Sequence, residues 1–283
     1  MKISFILLLS FPCNLLAQQN PKTSAILGDK IITNLIYNSM SSDFLKKHDS
    51  IDSLLNNTKR MHWETLLRWN GDRSVVATRS LKRMQVAYLN QSEYFYDTDH
   101  LIKLSRILSI FNTISDELIN KNFSENISID KSWYSKSSDL YDIKPFDTIN
   151  YSESLFFLQN IPINLKEGDV WADSVNTVEY KLINSFTVKS ILSKNKLVLQ
   201  YNSTLITTDS INNNVDLNDH SASGFIMSES SATSDGYITI AIDTRFIYSI
   251  QGNVVRKMKF SINGIREKGM TMVSKFQLDN TIK

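Results

Sequence analysis

The sequence predicts a mainly β protein: an antiparallel meander in two related halves, with one amphipathic helix, about residues 100–120, packed on the concave face of the sheet. Three observations lead there. Short runs rich in Ile, Val, Thr, Tyr and Phe recur along the chain, bounded by clusters of Asn, Asp, Ser and Gly. Asn70-Gly71-Asp72 separates two such runs, and Asn-Gly supplies the positive φ angles of a tight hairpin turn. Pro162 and Gly168-Asp169 close one series of strands, echoing Gly28-Asp29 at the start of the first. They divide the chain into an N-terminal half, 26–150, and a C-terminal half, 161–280.

Taken in order, Lys30 to Tyr37 reads as the opening strand. Ser41-Ser42-Asp43 can cap a short helix from Phe44 to Leu55, where Phe44, Leu45, His48, Ile51 and Leu55 recur at helical spacing. His62 to Trp69 and Ser74 to Ala87 form the hairpin, and Gln85 to Tyr96 reads as a further strand. Asp97-Thr98-Asp99 offers capping oxygens to the best helix in the chain. There Leu101, Leu104, Leu108, Phe111, Ser115 and Leu118 fall at three- and four-residue steps. Strands return at Asn122 to Asp130 and Ser132 to Tyr141. Ser152 to Leu158 is an apolar segment at the joint.

Beyond the joint, Thr177 to Ile191 and Lys196 to Thr207 alternate as strands, and a polar loop runs from Asp209 to Ser221. Gly224 to Ser230, Gly236 to Ile242, Phe246 to Ile262 and Gly269 to Leu278 complete the meander. Asp243-Thr244-Arg245 and Asn263-Gly264 supply turns.

Residues 1–17 have the form of a secretory signal peptide. Lys2 gives the positive start, Ile3 to Leu9 the apolar run, and Ala17 a small residue at the cut. Acylation at Cys13 is the competing reading. Phe11 and Pro12 stand where that cut needs a small residue, so an exported, periplasmic or extracellular protein is expected. Cys13 is the one cysteine, so export leaves neither disulfides nor a thiol nucleophile. The formal net charge of +2 and the lack of a Lys/Arg run give no electrostatic footprint for nucleic acid.

The order Gly28-Asp29, Trp69-Asn70-Gly71-Asp72, Pro162 and Gly168-Asp169-Val170-Trp171 resembles a family of secreted, β-rich bacterial proteins with Gly-Asp-x-Trp turns and no assigned activity. Tyr180 to Ile191, Gly236 to Ile240 and Asp243-Thr244 extend the resemblance over most of the mature chain. Arg245 departs from it, standing where the family often has glycine. The resemblance implies export and a curved antiparallel sheet, a half-open barrel like those of periplasmic lipoprotein carriers. It brings no catalytic residue with it.

The remaining constellations give little chemistry. His48, His62, His100 and His220 lack zinc-helix spacing. Asp97, Asp99 and His100 cluster, but where a helix wants capping carboxylates. Asn212, Asn214, Asp216 and Asp219 crowd one loop, yet Leu217 and Ser223 stand where a calcium loop needs glycine and glutamate. No Gly-x-Ser-x-Gly elbow or phosphate loop occurs. No cofactor is expected, and the sequence singles out no catalytic or metal-binding residue.

The aromatic set Trp63, Trp69, Tyr88, Tyr94, Phe95 and Tyr96 reads first as core packing and second as the wall of a binding site. Leu104, Leu108 and Phe111, with Trp69 and Tyr88, are the expected lining of a cavity between helix and sheet. The expected function is non-enzymatic binding of an apolar or amphipathic ligand, with lipid or an envelope protein as partner. A surface-assembly module using exposed strand edges is the alternative. A hydrolase built on two spatially paired carboxylates comes third.

Overall fold

The computed structural model describes residues 28–41, 57–69, 74–89, 91–100, 119–128, 158, 161–176, 180–211, 225–262 and 267–283. They form eleven β-strands: β1 Lys30–Ser41, β2 Asn57–Trp69, β3 Ser74–Tyr88, β4 Tyr94–Asp97, β5 Phe123–Ser128, β6 Val170–Asn176, β7 Tyr180–Ser193, β8 Lys196–Ile211, β9 Phe225–Ala241, β10 Ile247–Ile262 and β11 Glu267–Ile282. All belong to one antiparallel sheet in the order β4-β3-β2-β1-β11-β10-β9-β8-β7-β6. The expected all-antiparallel meander is therefore present. The sheet is open: β6 ends one side, while β4 and β5 share the outer edge of β3 at the other, through Gln85–Ala87 and Ser74–Arg79.

The C-terminal meander, β6 to β11, follows chain order without interruption. Its last strand does not end at an edge, because β11 pairs with β1 from Ile31–Ile282 to Ser41–Met272. The backbone N–H and C=O groups of Lys30 and Lys283 exchange hydrogen bonds at 2.8 and 3.3 Å, fastening the corner of this seam. Thr33 donates to the side-chain oxygen of Asn280 at 2.6 Å, and Asn280 passes its own N–H to the Ile247 carbonyl at 2.9 Å. Both residues are buried, so these bonds satisfy polar groups that would otherwise lose their water without replacement.

Several boundaries differ from expectation. Gln85 to Tyr96 is not one strand: Gln85–Tyr88 finishes β3, the chain turns, and β4 returns antiparallel on Val86. Gly224–Ser230 and Gly236–Ile242 are not two strands, because β9 runs through Gly236 without a break. The glycine there marks close strand approach rather than a turn. β6, which carries Trp171, starts directly after the Gly168-Asp169 turn and is the edge strand. β8 continues to Ile211, into the segment expected as loop.

The expected helices over Phe44–Leu55 and about 100–120, the strand over Ser132–Tyr141, the loop around Asn212–Asp219 and the Asn70-Gly71 and Asn263-Gly264 turns lie outside the described residues. No helix occurs among the described residues.

Turn chemistry holds where it is visible. Gly28 and Gly168 both have φ near +90°, as their matching Gly-Asp pairs suggest. At the second, Asp169 accepts the Lys166 N–H at 2.7 Å, and Glu167 accepts that of Ile191 at 3.0 Å. Arg245 adopts φ 59°, the left-handed conformation that favours glycine. The turn is held around it by the Asp243 carboxylate on the Thr244 N–H at 2.7 Å and by an Ala241–Phe246 backbone bond at 2.8 Å.

The glycine pair at the centre of β9 and β10 sets how closely those strands approach. Gly236 faces Gly252 in register. A Cβ on Gly236 would sit 2.0 Å from the Gln251 carbonyl oxygen, and one on Gly252 would meet the Asp235 carbonyl oxygen at 2.4 Å. Both obstacles are backbone and cannot rotate away. Gly236→Ala is accordingly expected to lower stability by about 1–3 kcal/mol through overpacking, read as a lower urea midpoint.

Candidate functional site

The strand alternation turns one set of side chains inward across the whole sheet. Register aligns them into rungs that run across the strands. The first is apolar: Leu35, Leu278, Ile250, Ile238, Leu199 and Val188 stand side by side, all buried. The segment leading into β6 adds Leu158 and Ile161 to the same core. Burial of such side chains contributes about 1.5–3 kcal/mol each.

The next rung is aromatic. Tyr37 and Phe276 come from β1 and β11, the glycine pair occupies β10 and β9, and Tyr201, Phe186 and Trp171 follow on β8, β7 and β6. Trp171 stacks on Phe186 with centroids 5.2 Å apart. A Cβ on Gly252 would lie 2.6 Å from the Tyr201 hydroxyl, so the ring leans over the glycines. That hydroxyl hydrogen-bonds Ser234 at 3.0 Å.

The third rung is polar although it is buried. Ser39, Ser274, Ser234, Ser203 and Asn184 align across the sheet, interrupted by Val254 and extended by Asp173 on β6. Ser203 donates to the Asn184 oxygen at 2.6 Å. Several atoms here have no hydrogen-bond partner among the described residues: the Tyr37 hydroxyl, Ser274 Oγ, Asn184 Nδ2, Asp173 Oδ2 and Trp171 Nε1. A buried polar atom left unsatisfied costs about 1–3 kcal/mol, so a line of them is a standing offer of hydrogen bonds.

Two buried cations flank the polar rung. Lys59 pairs in register with Tyr37 and holds its ammonium 5.8 Å from that ring. Arg256 pairs with Met272, beyond the serines. They are 4% and 3% exposed. Burial, with Arg256 as a second cause, pushes the Lys59 ammonium down to about 7. A third cation, Arg79, lies 4.9 Å above the ring of the buried Trp63.

Leu104, Leu108 and Phe111 lie outside the described residues. Trp69 closes β2 opposite Val75. Tyr88, at the end of β3, is 38% exposed and packs on Phe95 with centroids 4.6 Å apart. Of the aromatic set, Trp63 and Tyr96 are buried and Tyr94 and Phe95 half-buried. Period-two alternation sends neighbouring aromatics to opposite faces, so their density in sequence does not make a wall. Tyr37, Tyr201, Phe186, Phe276 and Trp171 do share a rung. Their signal was available only through register, which depends on which strands pair.

Asp97 bonds across the sheet as well as locally. It ends β4 and accepts from Arg83 at 2.8 and 3.2 Å, from Gln85 at 2.7 Å and from the Asp99 N–H at 3.1 Å. Burial alone would raise its pKa, but the hydrogen bonds from Arg83, Gln85 and Asp99 outweigh it and hold the carboxyl at about 2. It pins β4 to β3, with its oxygens committed. His62 sits on the outward face against Asn34 at 2.8 Å.

No family model matches the chain, and no curated protein does. Among solved structures, lipovitellin, described for its lipid–protein interactions, aligns over 91% of this chain at 10% identity and a TM-score of 0.43. The chain spans 25% of that lipovitellin chain. OccAB4 of Acinetobacter baumannii aligns over 89% of this chain and 98% of its own, at 6% identity and a TM-score of 0.21. An outer membrane channel from Pseudomonas putida F1 aligns over 89% of this chain and 96% of its own, at 10% identity and a TM-score of 0.18.

Two measurements check the electrostatics. Asp97 has a depressed folded pKa, so its stabilisation is complete above the ordinary 3.8 and fades as pH falls through about 2. Asp97→Asn is expected to cost about 1–3 kcal/mol at neutral pH, with its urea midpoint converging on the parent's in acid. Lys59 acts in the other direction. Below about 7 it is charged in both states, and its burial cost is felt in full. Between about 7 and the ordinary 10.5 the folded protein sheds a proton that the unfolded chain keeps, so stability climbs with pH. Lys59→Met should flatten that climb and raise the midpoint at neutral pH, as measured by urea titration across pH.

Proposed function

We propose that the protein is an exported, non-enzymatic binder of an amphipathic ligand, held on the inward face of the sheet. The observation that carries the reading is the order of the rungs. An apolar rung suits an acyl or other hydrocarbon chain, the aromatic rung follows, and the polar rung offers unsatisfied donors and acceptors to a head group. Lys59 and Arg256 bias the polar end towards a head group that carries negative charge.

The outward face supports the same assignment by contrast. Lys181, Lys189, Asp235, Lys257 and Lys275 project from it and are exposed. A lipid-facing strand surface would be apolar there, so the sheet meets an amphiphile from within rather than as a membrane wall.

A second reading has its own observation. β6 pairs only with β7 among the described residues, and Val170 at its start is 69% exposed. An open edge of this kind can accept a strand from an envelope partner. Crosslinking in intact cells would show it as a consistent protein adduct through β6.

Solvent extraction of protein purified without detergent, followed by mass spectrometry, tests the leading reading. An anionic amphiphile at near-stoichiometric yield is expected. Ser274→Ala removes an unsatisfied hydroxyl and adds no bulk. The variant should raise the urea midpoint of the delipidated protein while reducing the bound amphiphile about tenfold. Clean extracts, together with no uptake of added oleate or lysophosphatidylglycerol, would overturn it.

A further inference from the structure

The outward face of the sheet carries a depression of about 350 Å³ that crosses β1, β11, β10 and β9. Its floor is the backbone at Gly236 and Gly252. On one side Gln277, Gln251 and Tyr237 stand in register, and on the other Lys275, Asn253 and Asp235. The strands supply these residues from positions adjacent to the inward rungs, so the groove is separate from the amphiphile site and does not rest on it.

The chemistry of the lining is specific. Tyr237 is 43% exposed and offers a flat apolar ring with a hydroxyl at its tip. Around it are two amides from glutamine and one from asparagine, which donate and accept in a plane, and a carboxylate, which accepts. Asn253 donates to Asp235 at 3.4 Å, which orients both. At the far end Thr58 donates to the Asn38 side-chain oxygen at 2.7 Å, fixing which end of that amide is the acceptor. Asp235 and Lys275 balance in charge, so the groove holds no net attraction for an anion or a cation.

A ligand that matches must be uncharged, rich in paired donor–acceptor groups and bounded by a face of C–H bonds. Sugar rings have that character: vicinal hydroxyls on the rim and an apolar face. Four adjacent strands span about 14 Å, room for roughly three such rings in a row. The volume falls at the small end of ligand sites, which begin near roughly 300 Å³. We propose that this outward groove binds a neutral oligosaccharide, with one ring stacked on Tyr237 and hydroxyls read by Asp235, Asn253, Gln251 and Gln277.

Calorimetric titration of the full chain with cellohexaose, maltohexaose and chitohexaose, and with a heparin oligosaccharide as charged comparator, tests the proposal. Saturable binding of at least one neutral hexasaccharide, and none of heparin, is expected. Tyr237→Ala should weaken it about tenfold, while Tyr237→Phe keeps most of the affinity. Asp235→Ala and Gln251→Ala provide independent variants should Tyr237→Ala fold poorly. Failure of all three neutral sugars to bind at millimolar concentration overturns the proposal. So does preferential binding of heparin, or binding that folded Tyr237→Ala and Asp235→Ala variants leave unchanged.

Discussion

The pairing of β1 with β11 is the constraint on which everything else depends. Among the described residues no other strand pairing joins β1 to β5 with β6 to β11. Through the β1–β11 pairing, Leu35 meets Leu278 and Tyr37 meets Phe276; the apolar rung runs unbroken from β1 to β7, and the aromatic rung spans the same strands around the glycine pair. The cost is loop closure across most of the chain: the Thr33–Asn280 bond joins residues 247 apart. Contacts of that sequence separation form late and slow folding. The N-terminal hairpin must therefore wait, one edge unsatisfied, until the last strand is available.

The glycine pair and the serine rung follow from the same register. Gly236 and Gly252 fall where two large inward side chains would collide with the facing backbone, and Tyr201 covers the space they leave. The next rung falls on Ser234, Ser203 and Ser274, small enough to be buried and polar enough to keep the interior from being a sealed hydrocarbon core. Buried polar atoms without partners are rare in native structures. A row of them beside a row of aromatics lowers stability.

Much of the fold was legible in the chain. The hairpin of β2 and β3, the meander after the joint, the turns at Gly28, Gly168 and Asp243-Thr244 and the break at Pro162 all rest on local signals: period-two alternation and residues that demand particular φ angles. What was not legible required knowing which strands meet. Gly236 looked like punctuation because glycine in a strand pattern usually is; only its facing Gly252 shows the close approach it serves. Asp97 read as a helix cap because capping is what Asp-Thr-Asp does before an apolar run; the bonds its carboxylate takes from Arg83 and Gln85 depend on the pairing of β3 with β4 and gave no local sign. The aromatics that stand together, Tyr37, Phe276, Tyr201, Phe186 and Trp171, are spread over the whole chain and gave no local cluster to notice. Those that are neighbours in sequence, Tyr94 to Tyr96, are parted by the pleat.

The pleat also has a consequence for how this protein can change over generations. Ser234 and Gly236 look inward while Asp235 and Tyr237 look outward, from the same four residues of β9. Side chains on opposite faces of a strand do not touch, so substitutions on one face leave packing on the other almost undisturbed. Each strand is thus two inherited surfaces written in alternate letters. One can drift towards a new specificity while the other is held fixed, provided that insertions arrive in pairs and never shift the frame by one.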